Sequence, residues 1–590
     1  MSDSVYSSST SQIEVEILIE GESVGKEFPI TKISVEKKIN EIPKATVHLI
    51  DGNPVEGDDS FKSATKIKIG SAIEIKAGYE TNTELIFKGV ISEKNTDQDK
   101  KEIPTMILEC LDKVAALTEG IKTKVFYKKS DSEIVTSIVS DYGLEKTISI
   151  SQGAKFEQLV KYKTSDWDFI KKRAQINACI LVADDGKLTV ASPQVSAAGI
   201  RTLKYGDTVK EQSLTVSDAN QPTKVTAVCW DPSQQKLIKA VATEPTVNKQ
   251  GNSDGKKLAK NKGTEHTLQT SNFLEQEVLK AWANAYLAIL RMIKISGRIN
   301  TQGDPKLKPD TTITLEGFGD NYNGNGYIGA VKHTILPGDW ETEIELGLPK
   351  DSTGTDENSG DARATTFTGL QIGVVKKIHE DPENTYRILV TVPSFPEIAE
   401  GIWARFATPY ATKEKGFFFY PEIGDELVLG FIEGNSSHPI ILGSLFSKKY
   451  TAPYTPDDKN SIKALVTKND LKIEFNDEDK IITIATPAGN QIVISDKDKE
   501  IGITDENKNT ITLSKNGVVI ESKGNIELKA TKDIILKGKA IKMEANANIE
   551  AKGLDIKMKA NKAIALEGNA TAELKASGKT SVKGAMVALN

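Results

Sequence analysis

A chain of 590 residues is long enough for several domains, and 82 Asp and Glu against 76 Lys and Arg leave a net charge of −6, which argues against a global nucleic-acid partner. Cys110, Cys179 and Cys229 are odd in number, far apart and set in apolar contexts, so buried free thiols and folding in a reducing cytoplasm are expected. Residues 1–11 are Ser-rich without an apolar h-region, so no secretory signal is predicted, and the apolar run at 282–295 is broken by Arg291 and too short to span a bilayer.

Residues 12–110 read as strands, among them Ile13-Glu14-Val15-Glu16-Ile17, Ile33-Ser34-Val35 and Ile73-Glu74-Ile75, with turns at Asp51-Gly52-Asn53-Pro54 and Ala77-Gly78-Tyr79. A helix is predicted over 131–142, capped by Ser130 or Ser132, with Ile134, Val135, Ile138 and Val139 as its apolar face and Gly143 as its stop. A second helix, about 165–176, carries Trp167, Phe169 and Ile170; a hairpin follows, its turn at Asp184-Asp185-Gly186-Lys187. The polar stretch 246–268, rich in Lys and Gly, is expected to be a mobile loop, and a longer helix covers about 273–294. Residues 351–363, small and polar, are the clearest domain boundary.

Five short strands, near 373–378, 386–392, 403–406, 426–431 and 440–445, predict a small barrel of OB type. Phe417, Phe418, Phe419 and Tyr420 invite a nucleic-acid reading, as aromatic platforms on such barrels do. They precede a Pro421-Glu422-Ile423-Gly424-Asp425 turn and the module lacks a basic stripe, so no nucleic-acid partner is assigned.

Beyond about residue 460 the pattern changes. Apolar pairs at i and i+2 recur: Leu471/Ile473, Ile482/Ile484, Ile492/Ile494, Ile501/Ile503 and Ile511/Leu513, separated by polar turns. From Asn525 the pairs tighten to Ile526/Leu528, Ile534/Leu536, Ile541/Met543, Ile549/Ala551, Ile556/Met558, Ile564/Leu566 and Ala572/Leu574, stepping by 8, 7, 8, 7, 8 and 8. This is strand alternation, and it does not continue as i, i+3, i+4, i+7, so a helix is rejected. No Phe, Trp, Tyr, His or Cys follows Phe475, which suits only a narrow core of Ile, Leu, Val, Met and Ala. So short a unit must stack, and several chains closing around one axis would bury every inward face and cover the strand edges. We therefore expect an intertwined trimer rather than a single-chain solenoid. Its core would be Ile526, Leu528, Ile534, Leu536, Ile541, Met543, Ile549, Ile556, Met558, Ile564, Leu566 and Leu574, with Lys529, Lys537, Lys542, Lys557 and Lys559 in water. At about 4.8 Å per strand, some 120 residues would make a rod of roughly 70 Å.

With these elements in order, the chain resembles the VgrG family, hub-and-spike proteins of type VI secretion and related contractile injection systems. The resemblance rests on Arg387-Ile388-Leu389-Val390, on Trp403-Ala404-Arg405, on the run from Phe419 through Gly424-Asp425-Glu426 to Phe431, on the run from His438 to Phe446, and on the octads that follow. The segment Val160-Lys161-Tyr162-Lys163-Thr164-Ser165-Asp166-Trp167-Asp168-Phe169-Ile170 looks like the family's signature in its phage-hub-like region. Gly434-Asn435 departs from the family's usual Gly-Asp and is read as a turn variant.

The resemblance implies a mainly β, multidomain protein: a phage-hub-like α+β region (1–350), a linker (351–365), an OB-fold barrel (366–450) and a trimeric β-helix or β-prism spike (451–590). It also implies a homotrimeric hub of pseudo-hexameric character seated on inner-tube and baseplate proteins. A PAAR-type tip protein would cap Met586, Val587, Ala588, Leu589 and Asn590, and effector cargo is possible within such a machine. Such a protein would be made in the bacterial cytoplasm, assembled into a phage tail-like particle and delivered outward on contraction. No cofactor and no catalytic activity are expected: His48, His266, His333, His379 and His438 show no ligand spacing, no hydrolase or phosphate-binding motif occurs, and no room for a catalytic domain is read between Phe446 and Leu471 or after the octads. Acidic pairs such as Asp184-Asp185 and Asp457-Asp458 read as solvated turns. The alternatives are a trimeric tail fibre or adhesin, or a cell-wall hydrolase spike.

Overall fold

The computed structural model describes residues 12–25, 28–51, 67–97, 105–150, 155–195, 197–270, 273–348, 369–394 and 399–589. Residues 1–11, Gly52-Asn53-Pro54, the linker expected at 351–365 and Asn590 lie outside them. The chain divides into two compact units, Met1–Ala452 and Pro453–Asn590.

In the first unit, alternation sets the burial. Along Ile30–Lys38, Ile33 and Val35 are fully buried while Lys32, Ser34 and Glu36 are not. Such strands join into one thirteen-stranded sheet, two copies of a six-stranded motif with the short strand Glu22–Ser23 added at one edge. Side by side, the first copy runs Ile13–Ile19, Ala72–Tyr79, Asn82–Asp97, Thr105–Leu111, Lys44–Ile50 and Ile30–Lys38; the second runs Thr202–Lys204, Thr312–Glu316, Gly324–Leu336, Asp339–Leu346, Ile295–Gln302 and Val209–Val216. Counted along the chain, the strands take the same places in both.

Smaller features repeat too. The bulge between Ile91 and Glu93 returns between Ile328 and Ala330, and that between Ile30 and Lys32 returns between Val209 and Glu211. The Gly70 N–H donates to the Ile91 carbonyl (2.8 Å) and the Ile91 N–H to Ser71 (3.0 Å); likewise Asp310 donates to Ile328 (3.0 Å) and Ile328 to Thr311 (2.9 Å). Gly70 and Asp310 share a left-handed backbone, φ 90 and 61. The copies differ in that Ile13–Ile19 pairs antiparallel with its neighbour and Thr202–Lys204 parallel. One antiparallel pair splices them, Ile30–Lys38 against Gly324–Leu336, with Ile33 opposite Ile335 and Val35 opposite His333.

An α+β lobe lies between the copies along the chain. Ser130, not Ser132, starts α1 (Asp131–Asp141): its side chain accepts the Glu133 N–H while Glu133 accepts the Ser130 N–H. Ser165 caps α2 (Asp166–Ile176). Asp185 and Gly186, φ 54 and 88, form the two-residue turn joining Ile180–Asp184 to Lys187–Ala191. The stretch 246–268, expected to be a mobile loop, instead holds α3 (Gly255–Ala259), capped by Asp254, and opens the strand Glu265–Thr270, parallel to Lys224–Asp231. Its composition misleads because the lysines of α3 are not buried while Ala259 packs inward. α4 (Gln276–Met292) covers that small sheet with Leu279, Ala283 and Leu287. The three cysteines are buried and free, and burial pushes the Cys110 and Cys179 thiols up to about 12 and 11.

The five expected barrel strands close on one another as Gln371–Lys377, Ile388–Thr391, Ile402–Phe406, Pro439–Leu445 and Glu426–Phe431. Ile388, Val390, Ile402, Ala404, Leu427, Leu429 and Ile441 fill the interior.

The second unit begins as an antiparallel meander of seven strands, from Ile462–Val466 to Gly517–Glu521. Between 522 and 589 no strand ladder forms within the chain.

Candidate functional site

The family-like segment at 160–170 is a joint. It occupies the end of the strand Phe156–Thr164 and the start of α2. Gln158 donates from Nε2 to the carbonyls of Trp403 (3.0 Å) and Ser437 (2.9 Å) and accepts the Trp403 N–H at Oε1 (2.8 Å). The Val160 N–H donates to Ser437 Oγ (2.9 Å), Ser436 Oγ donates to the Val160 carbonyl (3.0 Å), and the Val160 side chain enters the barrel core. Sequence reading flagged Val160 but missed Gln158, Ser436 and Ser437; buried polar residues beside a strand were the available signal.

Behind the joint, Lys161 is buried against Asp166, which also accepts the hydroxyl of Tyr142 (2.6 Å) and Lys122 Nζ (3.1 Å). Burial alone would raise the Asp166 carboxyl, but Lys161, then Tyr142 and Lys122, hold it below the usual range. Arg387 clamps the barrel's Asp381 turn through Nε and Nη2 (2.9 and 2.7 Å), and the backbone N–H groups of Thr385 and Arg387 reach the same carboxylate. Burial opposes ionisation of Asp381; Arg387 and these N–H groups outweigh it and hold its pKa far below the usual value.

Asp184 and Asp185 do not form a solvated turn. Both pair with the buried Lys37 (3.0 Å to Asp185) and with Lys308 (2.7 Å to Asp184), which ties the lobe to the spliced sheet. Asp457 does sit in a turn, accepting the Asn460 N–H (2.8 Å). His333 is fully buried with Nδ1 2.9 Å from Thr342 Oγ1, and burial, then Lys37 and Lys308, bring its pKa down to about 3. Among the described residues no three His, Cys, Asp or Glu side chains converge as metal ligands.

The meander presents a continuous apolar face. Its register sets Ile473 opposite Ile484 and Phe475 opposite Ile482, then Ile482 opposite Ile494, Ile484 opposite Ile492, Ile492 opposite Ile503, Ile494 opposite Ile501, Ile501 opposite Leu513 and Ile503 opposite Ile511. One face is thus an unbroken apolar stripe, and each of these side chains is about 40 % exposed. Thr483, Val493, Gly502 and Thr512 align on the other face. The octads continue the same pairs. Ile526, Leu528, Ile534, Leu536, Ile541, Met543, Ile549, Ile556, Met558, Ile564, Leu566 and Leu574 are all exposed in the single chain, as are Met586, Val587, Ala588 and Leu589. In the pairs Ile526/Leu528, Ile534/Leu536, Ile541/Met543, Ile556/Met558 and Ile564/Leu566 the first residue is the better covered, Ile564 at 53 % against Leu566 at 82 %. Contiguous exposed apolar faces of this extent are uncommon on single soluble chains.

Phe417, Phe418 and Phe419 are exposed beside the short hairpin of Ala411–Thr412 and Lys415–Gly416, and Phe418 stacks on Tyr420.

The Alg8 N-terminal domain family matches residues 9–336, and the type VI secretion system/phage-baseplate injector OB domain family matches residues 371–446. The type VI secretion system spike protein VgrG1a of Pseudomonas aeruginosa is 31% identical over 84 residues, which is 13% of this chain and 13% of that relative. The chain therefore aligns with only a small part of the curated relatives it matches. A chain of the half-lidded Francisella PdpA–VgrG complex superposes with a TM-score of 0.50 at 10% identity, over 87% of this chain and 88% of that one. The lidded form of that complex gives a TM-score of 0.50 at 12% identity, over 84% and 80%. These two likenesses concern the fold.

Proposed function

We propose a mechanical role from one premise: the chain belongs to the VgrG family of spike proteins, and through residues 9–336 to the Alg8 N-terminal domain family. Its role is that of a structural hub and spike in a type VI or phage-like injection machine. In this reading residues 1–350 are the hub, 351–365 a linker, 366–450 the barrel and 451–590 the spike.

The observation that carries the finer proposal is the uncovered apolar stripe running from Ile473 into the octads. Three chains closing on this stripe would turn an exposed face into a dry core, and each octad would find on its neighbours the edge partner it lacks alone. The spike would then pass force along continuous backbone pairing and puncture the target envelope when the sheath contracts. Met586–Asn590 would offer open strand edges to a PAAR-type tip protein, and the hub would seat on inner-tube and baseplate proteins, with cargo carried at either end. The protein would act without catalysis, and would reach the exterior through the machine itself.

The test is the native mass of the full-length protein together with Ile494→Lys. A trimer that this substitution dissociates supports the proposal; a stable monomer of the intact protein overturns it. A fibre or adhesin would bind whole target cells with the same trimer, and a hydrolase spike would clear peptidoglycan; either activity in the purified trimer would replace this reading.

A further inference from the structure

The sign of the charge changes along residues 453–590. Residues 453–524 carry 10 Lys against 13 Asp and Glu, whereas residues 525–590 carry 12 Lys against 7 Asp and Glu, and no Arg. In the meander Lys459, Lys463, Lys472 and Lys497 are matched by Glu478, Asp477, Glu474 and Asp479 at 2.5 to 3.1 Å. In the octads three lysines find such partners: Lys529 with Glu527 (2.7 Å), Lys557 with Asp555 (3.5 Å) and Lys575 with Glu573 (3.8 Å). The other nine have no acidic partner among the described residues, and all twelve are exposed.

Solvation alone does not call for this separation. A face in water is served by charge of either sign, and the meander carries both. The octad lysines also come in runs, 529–542, 552–562 and 575–583, parted by Glu544 with Glu550 and by Glu567 with Glu573. Each run encloses an exposed apolar residue that is not part of the i, i+2 pairs: Ile535, Leu554 and Val582. Lysines interleaved with single aliphatic side chains suit a bilayer surface. Ammonium groups meet headgroup phosphates there, and short apolar side chains enter the acyl boundary. A nucleic acid fits less well. It is held by Arg forks and by aromatic rings stacked on bases, and the octads contain neither.

We propose that the outward face of the octads is a docking surface for an anionic lipid bilayer, with the unmatched lysines set against headgroup phosphates. Charge complementarity selects this occupant: the octads are the positive segment of a chain that is negative as a whole. The inference rests on the spike reading, in which the apolar pairs turn inward and leave the lysines outside. It adds a ligand class to that reading. The rod would hold to the envelope surface by charge, and the contact would weaken with salt as exposed charges do.

The experiment sediments full-length protein with vesicles of phosphatidylcholine, alone or mixed with phosphatidylglycerol, at low and at high salt. One variant carries Lys532→Gln, Lys537→Gln, Lys539→Gln, Lys559→Gln and Lys562→Gln. A second makes the same change of net charge in the meander, with Lys480→Gln, Lys499→Gln, Lys508→Gln, Lys515→Gln and Lys523→Gln. The wild type should bind the phosphatidylglycerol vesicles and not the neutral ones, and release them at high salt. The octad variant should bind more than about tenfold more weakly, and the meander variant like the wild type. Binding to both kinds of vesicle alike, binding to neither, or equal loss in the two variants overturns the proposal. Tighter binding to duplex DNA through the same octad lysines also overturns it, in favour of a nucleic-acid partner. The native mass is measured on the same samples. A trimer that ignores the vesicles overturns the lipid contact and leaves the spike reading standing, whereas a monomer overturns both.

Discussion

At the residue scale, single polar side chains hold the large elements together. Gln158 satisfies both the carbonyl and the N–H of Trp403, so Gln158→Ala leaves buried backbone groups without partners. We expect the variant to lose about 2–4 kcal/mol of barrel-docking stability, read as an earlier denaturation step. Asp381 has a depressed folded pKa, so its ionised form favours the native state. Its contribution is complete above the unfolded value of about 4 and is lost as pH falls through the folded value. Asp381→Asn should therefore cost about 2 kcal/mol near pH 7, and the gap to wild type should narrow as the pH drops below about 4 in chemical denaturation. The capping box at Ser130 and the Asp185-Gly186 turn were legible because their chemistry is local. Gln158, Lys37 and Lys308 were not, because their partners lie far along the chain.

At the element scale, the meander's register separates two faces that substitutions can tell apart. Ile494→Lys falls on the apolar stripe and should abolish the trimer, whereas Thr483→Lys, on the opposite face, should leave the native mass unchanged. Ile492→Ala should keep the assembly but lower its stability by about 2–4 kcal/mol per chain, read in denaturant titrations of the oligomer. The alternation by itself marks this stripe, since side chains two apart in a strand must share a face. The polar stretch around α3 was misread for the converse reason: its buried positions are too few to lift the composition above that of a loop.

At the scale of the whole molecule, deleting residues 525–590 should leave the hub and barrel folded while abolishing rod assembly or tip loading. Circular dichroism together with native mass and tip-protein capture would check this. The unit Met1–Ala452 draws its core from its own strands, so nothing in its packing requires the octads.

The sequence by itself determined the barrel, the alternating stripe and the octads, because each is written in residues close along the chain. Only the tertiary structure decided that the large sheet of the first unit is one motif used twice. Residues 217–294 interrupt the second copy between Val209–Val216 and Ile295–Gln302, and the matching strands share bulges and bonds more than side chains. A duplication kept in backbone hydrogen bonding appears once the strands are seen side by side. The same pairing leaves the edges at Asn95 and Thr215 without a strand partner within the described chain.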